Sequence, residues 1–212
     1  EVATYHLPAA AANSGTLGAS NLAEFGRVQY GVTDRLTVAA EARFQKDEVE
    51  YRNPVNALAA DAKTDSVLPR ATIDYKFSDD LMLYAVYSEG SKPVTINTAP
   101  ELPDLLRFTK EEEAKNYELG LKGRFFDGRM TLLASAFYID WTNQESQGIC
   151  LPGECGGVAT ITRYVTNFGE TSVRGFELEA TGQVIEDWLT LRLGYSMNDT
   201  RIGSGRTSSA TE

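Results

Sequence analysis

The chain has 212 residues, is 42% hydrophobic and 24% charged, and carries a formal net charge of -10, the proportions of a folded protein rather than a disordered one. An acidic balance with no Lys/Arg patch to neutralise phosphates excludes nucleic acid as a partner. No run of about 18 apolar residues occurs, which excludes a membrane-spanning helix, but a mean hydropathy of -0.29 leaves a membrane barrel open because barrel strands alternate apolar and polar side chains.

The opening EVATYHLPAAAANSGTLGAS lacks a basic start followed by an apolar core and does not read as a signal peptide. The lack of Met at position 1 suits a mature protein or a piece of a longer chain. Glu24 to Val32 then reads as a strand, Arg27 and Gln29 alternating with Val28 and Tyr30. After a Thr33-Asp34-Arg35 turn, Leu36, Val38, Ala40, Ala42 and Phe44 alternate with Thr37, Glu41, Arg43 and Gln45. The polar, Ala-rich and Pro-containing stretch from about Glu50 to Ser66 predicts a long loop. Ala71, Ile73, Tyr75 and Phe77 alternate with Arg70, Thr72, Asp74 and Lys76, and a Ser78-Asp79-Asp80 turn leads into Leu81, Leu83, Ala85 and Tyr87.

Glu89 to Glu111 reads as the longest irregular stretch, with prolines at 93, 100 and 103 that a central strand excludes. Lys115 to Gln144 reads as one hairpin. Tyr117, Leu119, Leu121 and Phe125 share one face, Glu118, Lys122 and Arg124 the other, and Asp127-Gly128 supplies the positive φ of a tight turn. Its second arm, Met130 to Trp141, has about the ten residues that a tilted strand needs to cross hydrocarbon. A loop from about Asn143 to Thr162 precedes a last pair. There Phe176, Leu178 and Ala180 alternate with Glu177, Glu179 and Thr181. After an Ile185-Glu186-Asp187 turn, Leu189, Leu191, Leu193, Tyr195 and Met197 alternate with Thr190, Arg192, Gly194, Ser196 and Asn198.

About eight strands in four hairpins thus have connections that alternate between short and long. An up-and-down transmembrane β-barrel gathers its short turns at one rim and its long loops at the other. Tyr75, Phe77, Phe125, Phe126, Trp141 and Trp188 near strand ends fit the aromatic girdles of such barrels. Alternation does not say which face points inward, so a complete eight-strand outer-membrane barrel and a soluble barrel carrying apolar ligands remain alternatives. The chain's end, RTSSATE, is not a closing strand and disfavours the former. Loops that are long at one rim only disfavour the latter.

No catalytic constellation is visible. His6 is the single histidine, no phosphate loop or dinucleotide fingerprint occurs, and no catalytic residue, cofactor or metal site is assigned. Thr109 to Glu113 could cap a short helix or hold a cation, though a solvated rim is the plainer reading. The Asn198-Asp199-Thr200 sequon carries no information here. Cys150 and Cys155 in CLPGEC form a candidate disulfide, favoured by spacing over free thiols, while a metal would need further ligands.

Several stretches carry a resemblance to a known family: YELGLK at Tyr117–Lys122, FFDGR at Phe125–Arg129, AFYIDW at Ala136–Trp141, and Asn167-Phe168-Gly169 followed by RGFELE to Glu179. With YAVYSEGSKP at Tyr84–Pro93 they resemble the C-terminal half of the barrel of TonB-dependent outer-membrane receptors, from about residue 24 onward. The resemblance implies an internal piece, residues 1–212, of an all-β antiparallel barrel of about 22 strands, with the plug and the terminal strands lying outside this chain. It implies a location in the outer membrane of Gram-negative bacteria, with membrane lipid as one partner and the TonB complex, reached through the N-terminal region, as another. The expected cargo is a scarce nutrient, an iron-siderophore complex above all, with cobalamin or oligosaccharides as alternatives. If the apolar face meets lipid, Glu118, Lys122, Arg124, Glu177, Glu179 and Arg192 are the candidate lumen-facing residues, hydrating and salt-bridging the inner wall.

Overall fold

Alternation becomes strand almost throughout in a computed structural model that describes residues 15–185 and 188–203; His6, Glu186 and Asp187 lie outside the described residues. In chain order the strands are β1 (Thr16–Gly31), β2 (Leu36–Arg52), β3 (Ala59–Lys76), β4 (Leu81–Lys92), β5 (Glu112–Phe125), β6 (Met130–Thr142), β7 (Glu145–Cys150), β8 (Thr162–Asn167), β9 (Glu170–Ile185) and β10 (Leu189–Ile202). All neighbouring pairs are antiparallel. Eight strands form one sheet in the order β1-β2-β3-β4-β5-β6-β9-β10, and β7-β8 is a separate hairpin. β1 and β10 are free edges that do not pair with each other. The described residues therefore form neither a complete eight-strand barrel nor a closed soluble carrier, since closure leaves no edge.

Several sequence expectations change. The loop expected from Glu50 to Ser66 shrinks to residues 53–58, because β2 and β3 extend well past the apolar residues. Exposed cross-strand ion pairs, Lys63–Glu48 at 2.6 Å and Arg52–Asp61 at 2.6 Å, line one face of that extension, while Val49, Tyr51, Ala60 and Ala62 pack with Ile96 on the other. Pro69 lies inside β3 opposite Ala42. Having no N–H, it ends the β3–β4 ladder, whose last pair is Arg70↔Ser88. Finally, the loop expected from Asn143 to Thr162 contains β7, and its far end runs into β8. The turn after β5 also differs in detail: Phe126, Asp127 and Gly128 have φ of 56°, 55° and 83°, so left-handed geometry begins one residue before the Asp-Gly pair.

The sheet has two unlike faces. On one lie Leu83, Ala85, Leu119, Leu121, Leu132, Ala134, Leu178, Leu191 and Leu193; on the other lie Tyr84, Glu118, Lys122, Ser135, Glu177, Glu179 and Arg192. Leu119 and Leu193 are 60% and 72% exposed, and a contiguous apolar surface of this extent does not face water in a soluble monomer.

The apolar face stops abruptly toward the long-loop rim. Tyr87, Tyr117 and Tyr138 form one cross-strand row, their rings 5.1 and 6.4 Å apart. Immediately beyond lie Glu89, Lys115 and Asp140. The same change occurs at Phe44/Lys46, Val67/Asp65, Phe176/Arg174 and Met197/Asp199. These boundary residues are not in one hydrogen-bonded row. Val67 lies beyond Ala71, the partner of Tyr87, whereas Phe176 pairs with Ala136, below Tyr138. From β2 to β10 the boundary drifts by roughly six residues over roughly six strand spacings. At about 3.3 Å per residue and 4.8 Å per strand this is a slope of about 35°. A level bilayer surface crossing strands tilted by 35–45° draws such a line. At the other rim Tyr75 meets Phe77 edge-on at 4.9 Å, and Phe126 and Trp188 are exposed. Trp141, expected in a girdle, instead lies on the polar face, where its Nε1 donates to Glu112 at 2.9 Å.

Candidate functional site

Buried hydrophobic residues gather toward the long-loop rim in two clusters: Tyr51 and Ala60 at the ends of β2 and β3 with Ile96, and, outside the sheet, Leu102, Cys150 and Val158. The segment 93–111 folds back on itself through an Ile96↔Phe108 bridge and a short 3-10 turn at Asp104–Leu106. Arg107 is buried inside it. Its guanidinium donates to the carbonyls of Asn97, Ala99 and Leu102 at 2.6, 2.8 and 2.8 Å, which offsets much of the desolvation that a buried cation suffers. Cys150 and Cys155 are joined by a disulfide that closes the tip of the β7–β8 hairpin, with Cys150 fully buried against Leu102 and Val158.

Two asparagines fasten 93–111 to this hairpin. Asn97 donates to the carbonyls of Leu106 and Val165, each at 2.7 Å, and accepts from the Val165 amide. Asn167 accepts from the Lys110 amide at 2.6 Å and donates to the Lys110 and Asn143 carbonyls. This is the physical role of the Asn-x-Gly element read in the sequence. A second fastening is ionic: Lys92 Nζ contacts Glu145 at 2.5 Å and Glu112 at 3.2 Å, while Thr95 and Thr109 hydroxyls also donate to Glu145. Burial alone pushes the Glu145 carboxyl up, but hydrogen bonds from Lys92, Thr109 and Thr95 outweigh it and hold the group below the usual carboxylate value. The Glu145 carboxylate, with Glu112, holds the Lys92 ammonium above its ordinary value against the opposing effect of burial.

Between these fastened loops and the β2–β3 connection lies a cleft of about 400 Å³. Tyr51, Asn53 and Asn56 form one side, Ile96 to Pro100 a second, and Gln147, Arg163 and Val165 of the hairpin a third. Tyr51 shares its face with Asp47 and Ala39, so the polar face of the sheet leads directly into the cleft. The Asn53 amide donates to the Tyr51 hydroxyl at 3.2 Å. The cleft was not readable in the sequence, since three segments distant in the chain build it; Asn97 and Asn167, polar residues beside loops, were the nearest signal.

The sequence candidates fall elsewhere. Glu118, Lys122, Arg124, Glu177, Glu179 and Arg192 all lie on the polar face of the sheet, below the cleft. Tyr84 links several of them: its hydroxyl donates to Glu118 at 2.6 Å, and Lys122 Nζ sits 4.9 Å over its ring. Arg124 turns to the opposite rim and pairs with Asp80 at 2.9 Å. The Thr109 to Glu113 stretch caps no helix. Glu112 and Glu113 belong to β5, Thr109 holds Glu145, and Glu111 is hydrogen-bonded to Ser66. Among the described residues no group of His, Cys, Asp or Glu is arranged to hold a metal ion.

Comparison with known proteins assigns this architecture. A siderophore receptor described as a probable TonB-dependent one, PiuA of Acinetobacter baumannii, is 25% identical over 180 residues, which cover 81% of this chain and 22% of the relative. The ferric-pyoverdine 358 receptor of Pseudomonas putida is 31% identical over 144 residues, 66% of this chain and 16% of the relative. Among solved structures, the ferric yersiniabactin uptake receptor FyuA of Yersinia pestis superposes with a TM-score of 0.70 at 23% identity, over 90% of this chain and 28% of that one. The chain thus spans about a quarter or less of the length of these curated relatives. Residues 3–211 match the family model for the TonB dependent receptor-like β-barrel, and the chain belongs to that family of outer-membrane receptor barrels.

Proposed function

We propose that this chain is the wall and ligand-facing loop segment of a receptor that takes up ferric siderophores across the outer membrane. In this reading the apolar face meets lipid, the polar face lines the barrel interior, and the cleft at the long-loop rim first holds the cargo. Uptake draws energy from the TonB complex through a part of the receptor outside this chain. The family match over residues 3–211 carries the reading. The relatives named for siderophores and pyoverdine support the cargo class. The rim geometry agrees with it, since a cleft that continues the polar face lies where a solute would enter the barrel.

The test is uptake of radiolabelled ferric chelates by an iron-starved Gram-negative host expressing the full-length receptor, with and without TonB. Accumulation that depends on both the receptor and TonB is expected. Receptor-dependent accumulation that persists without TonB, or none for any ferric chelate, contradicts the reading.

A further inference from the structure

The cleft has a charge opposite in sign to the chain that builds it. The chain is at -10 overall, yet among the described residues the one charged side chain lining the cleft is that of Arg163. Nearby carboxylates are engaged elsewhere: Glu112 and Glu145 by Lys92, Glu101 by the Thr162 hydroxyl, and Glu154 by the Leu151 amide. The Arg163 backbone pairs with Ile149 in the hairpin, but its guanidinium makes no ion pair or hydrogen bond among the described residues.

Two further groups in the cleft can donate. Gln147 pairs with Val165 while Ile149 pairs with Arg163, which makes Gln147 and Arg163 diagonal neighbours on one hairpin face, within reach of a common ligand. Asn56, which lines the cleft, uses its Oδ1 to accept from the Leu58 amide at 3.0 Å, and its Nδ2 makes no hydrogen bond among the described residues. The Tyr51 ring adds an aromatic wall. A guanidinium with no counter-ion, flanked by amide donors, pairs best with planar anionic oxygens, which it grips in two-point fashion. A neutral ligand gains little from it, and a cationic one is repelled.

We propose that Arg163 sets the charge preference of this receptor: the cleft takes an anionic, oxygen-rich metal chelate of the catecholate or carboxylate kind over a neutral hydroxamate chelate. The proposal rests on the uptake reading above and adds the ligand's charge and the residue that reads it. Binding of two probes, a trianionic ferric tris-catecholate and a neutral ferric trihydroxamate, to the full-length receptor in outer-membrane vesicles tests it. The wild type is expected to prefer the tris-catecholate. Arg163→Gln should weaken that complex about tenfold or more, with Arg163→Lys restoring part of the loss, while Gln147→Leu produces a smaller loss. Arg163 is exposed at the rim, so each variant should reach the membrane in wild-type amount. Tris-catecholate binding that is unchanged in Arg163→Gln, equal losses for both probes, or a wild type that prefers the trihydroxamate overturns the proposal and leaves the uptake reading standing. A wild type that binds neither chelate also overturns the proposal, whereas the uptake reading falls only by its own transport test.

Discussion

Asn97 clasps the backbone of Val165 from both sides, its Oδ1 accepting from the amide and its Nδ2 donating to the carbonyl, each at 2.7 Å. This is the pairing that a neighbouring strand would make, and Asn167 returns it to Lys110. Segment 93–111 and strand β8 are therefore joined by side chain-to-backbone hydrogen bonds at both ends, and together they form two of the three sides of the cleft.

Asn97→Ala removes this clasp and leaves a strand edge unpaired in a partly buried site. A local loss of about 1–3 kcal/mol is expected. Hydrogen exchange in the full-length receptor should rise in 105–108 and 163–166 together, with the sheet unchanged. Faster exchange in one segment alone would show that the two loops are independent.

The ionic fastening around Glu145 gives a pH window. The folded Glu145 carboxyl lies below 4.5, so its contribution is full above the ordinary carboxylate value and is lost as pH falls through the lower, folded one. Lys92 lies above 10.5, so its contribution is full below that value and is lost as pH rises through the higher, folded one. After correction for intrinsic chemistry, loop opening should be flat across neutral pH and increase in acid below the ordinary carboxylate range and in alkali above the ordinary lysine value. Glu145→Gln should show loosened loops already at neutral pH. A wild-type transition near neutrality would contradict the assignment.

Tyr84 lies across Gly120, where a Cβ would come within 2.2 Å of the ring. Gly120→Ala must push the ring aside and break its 2.6 Å bond to Glu118, a loss of about 1–2 kcal/mol. Thermal unfolding of the full-length receptor should show it, and in a Tyr84→Phe background most of the cost of Gly120→Ala should disappear. An undiminished cost would mean that the collision, not the bond, matters.

Much of this fold could be read from Leu189 to Asn198 and from Tyr117 to Phe125, where a two-residue period marks both strand and face. The period failed where charge replaced leucine. Asp61 to Asp65 and Asp47 to Glu50 look like loop but pair as strand through Lys63–Glu48 and Arg52–Asp61. Residue type alone puts Trp141 in a girdle, whereas parity does not; its register beside Ala114, two places along from Asn116↔Ile139, already puts it on the face of Phe137. The cleft could not be read at all, because it depends on contacts such as Asn97 to Val165 that no local pattern encodes.

Leu121 pairs with Leu83 and Ala134 in the middle of the apolar band. Leu121→Arg should therefore cost about 2–4 kcal/mol in bilayer folding, the penalty for a cation at mid-depth. Lys115→Leu, beyond the tyrosine row, should change stability by less than about 1 kcal/mol. Similar costs for the two would place the membrane boundary elsewhere.

Spin labels placed one at a time at 118, 119, 121 and 122 in the full-length receptor, reconstituted in lipid bilayers, probe the two faces directly. Collision with dissolved oxygen should be frequent at 119 and 121 and rare at 118 and 122, because oxygen concentrates among acyl chains. The reverse pattern, or equal values at all four positions, would show that the leucine face does not meet lipid.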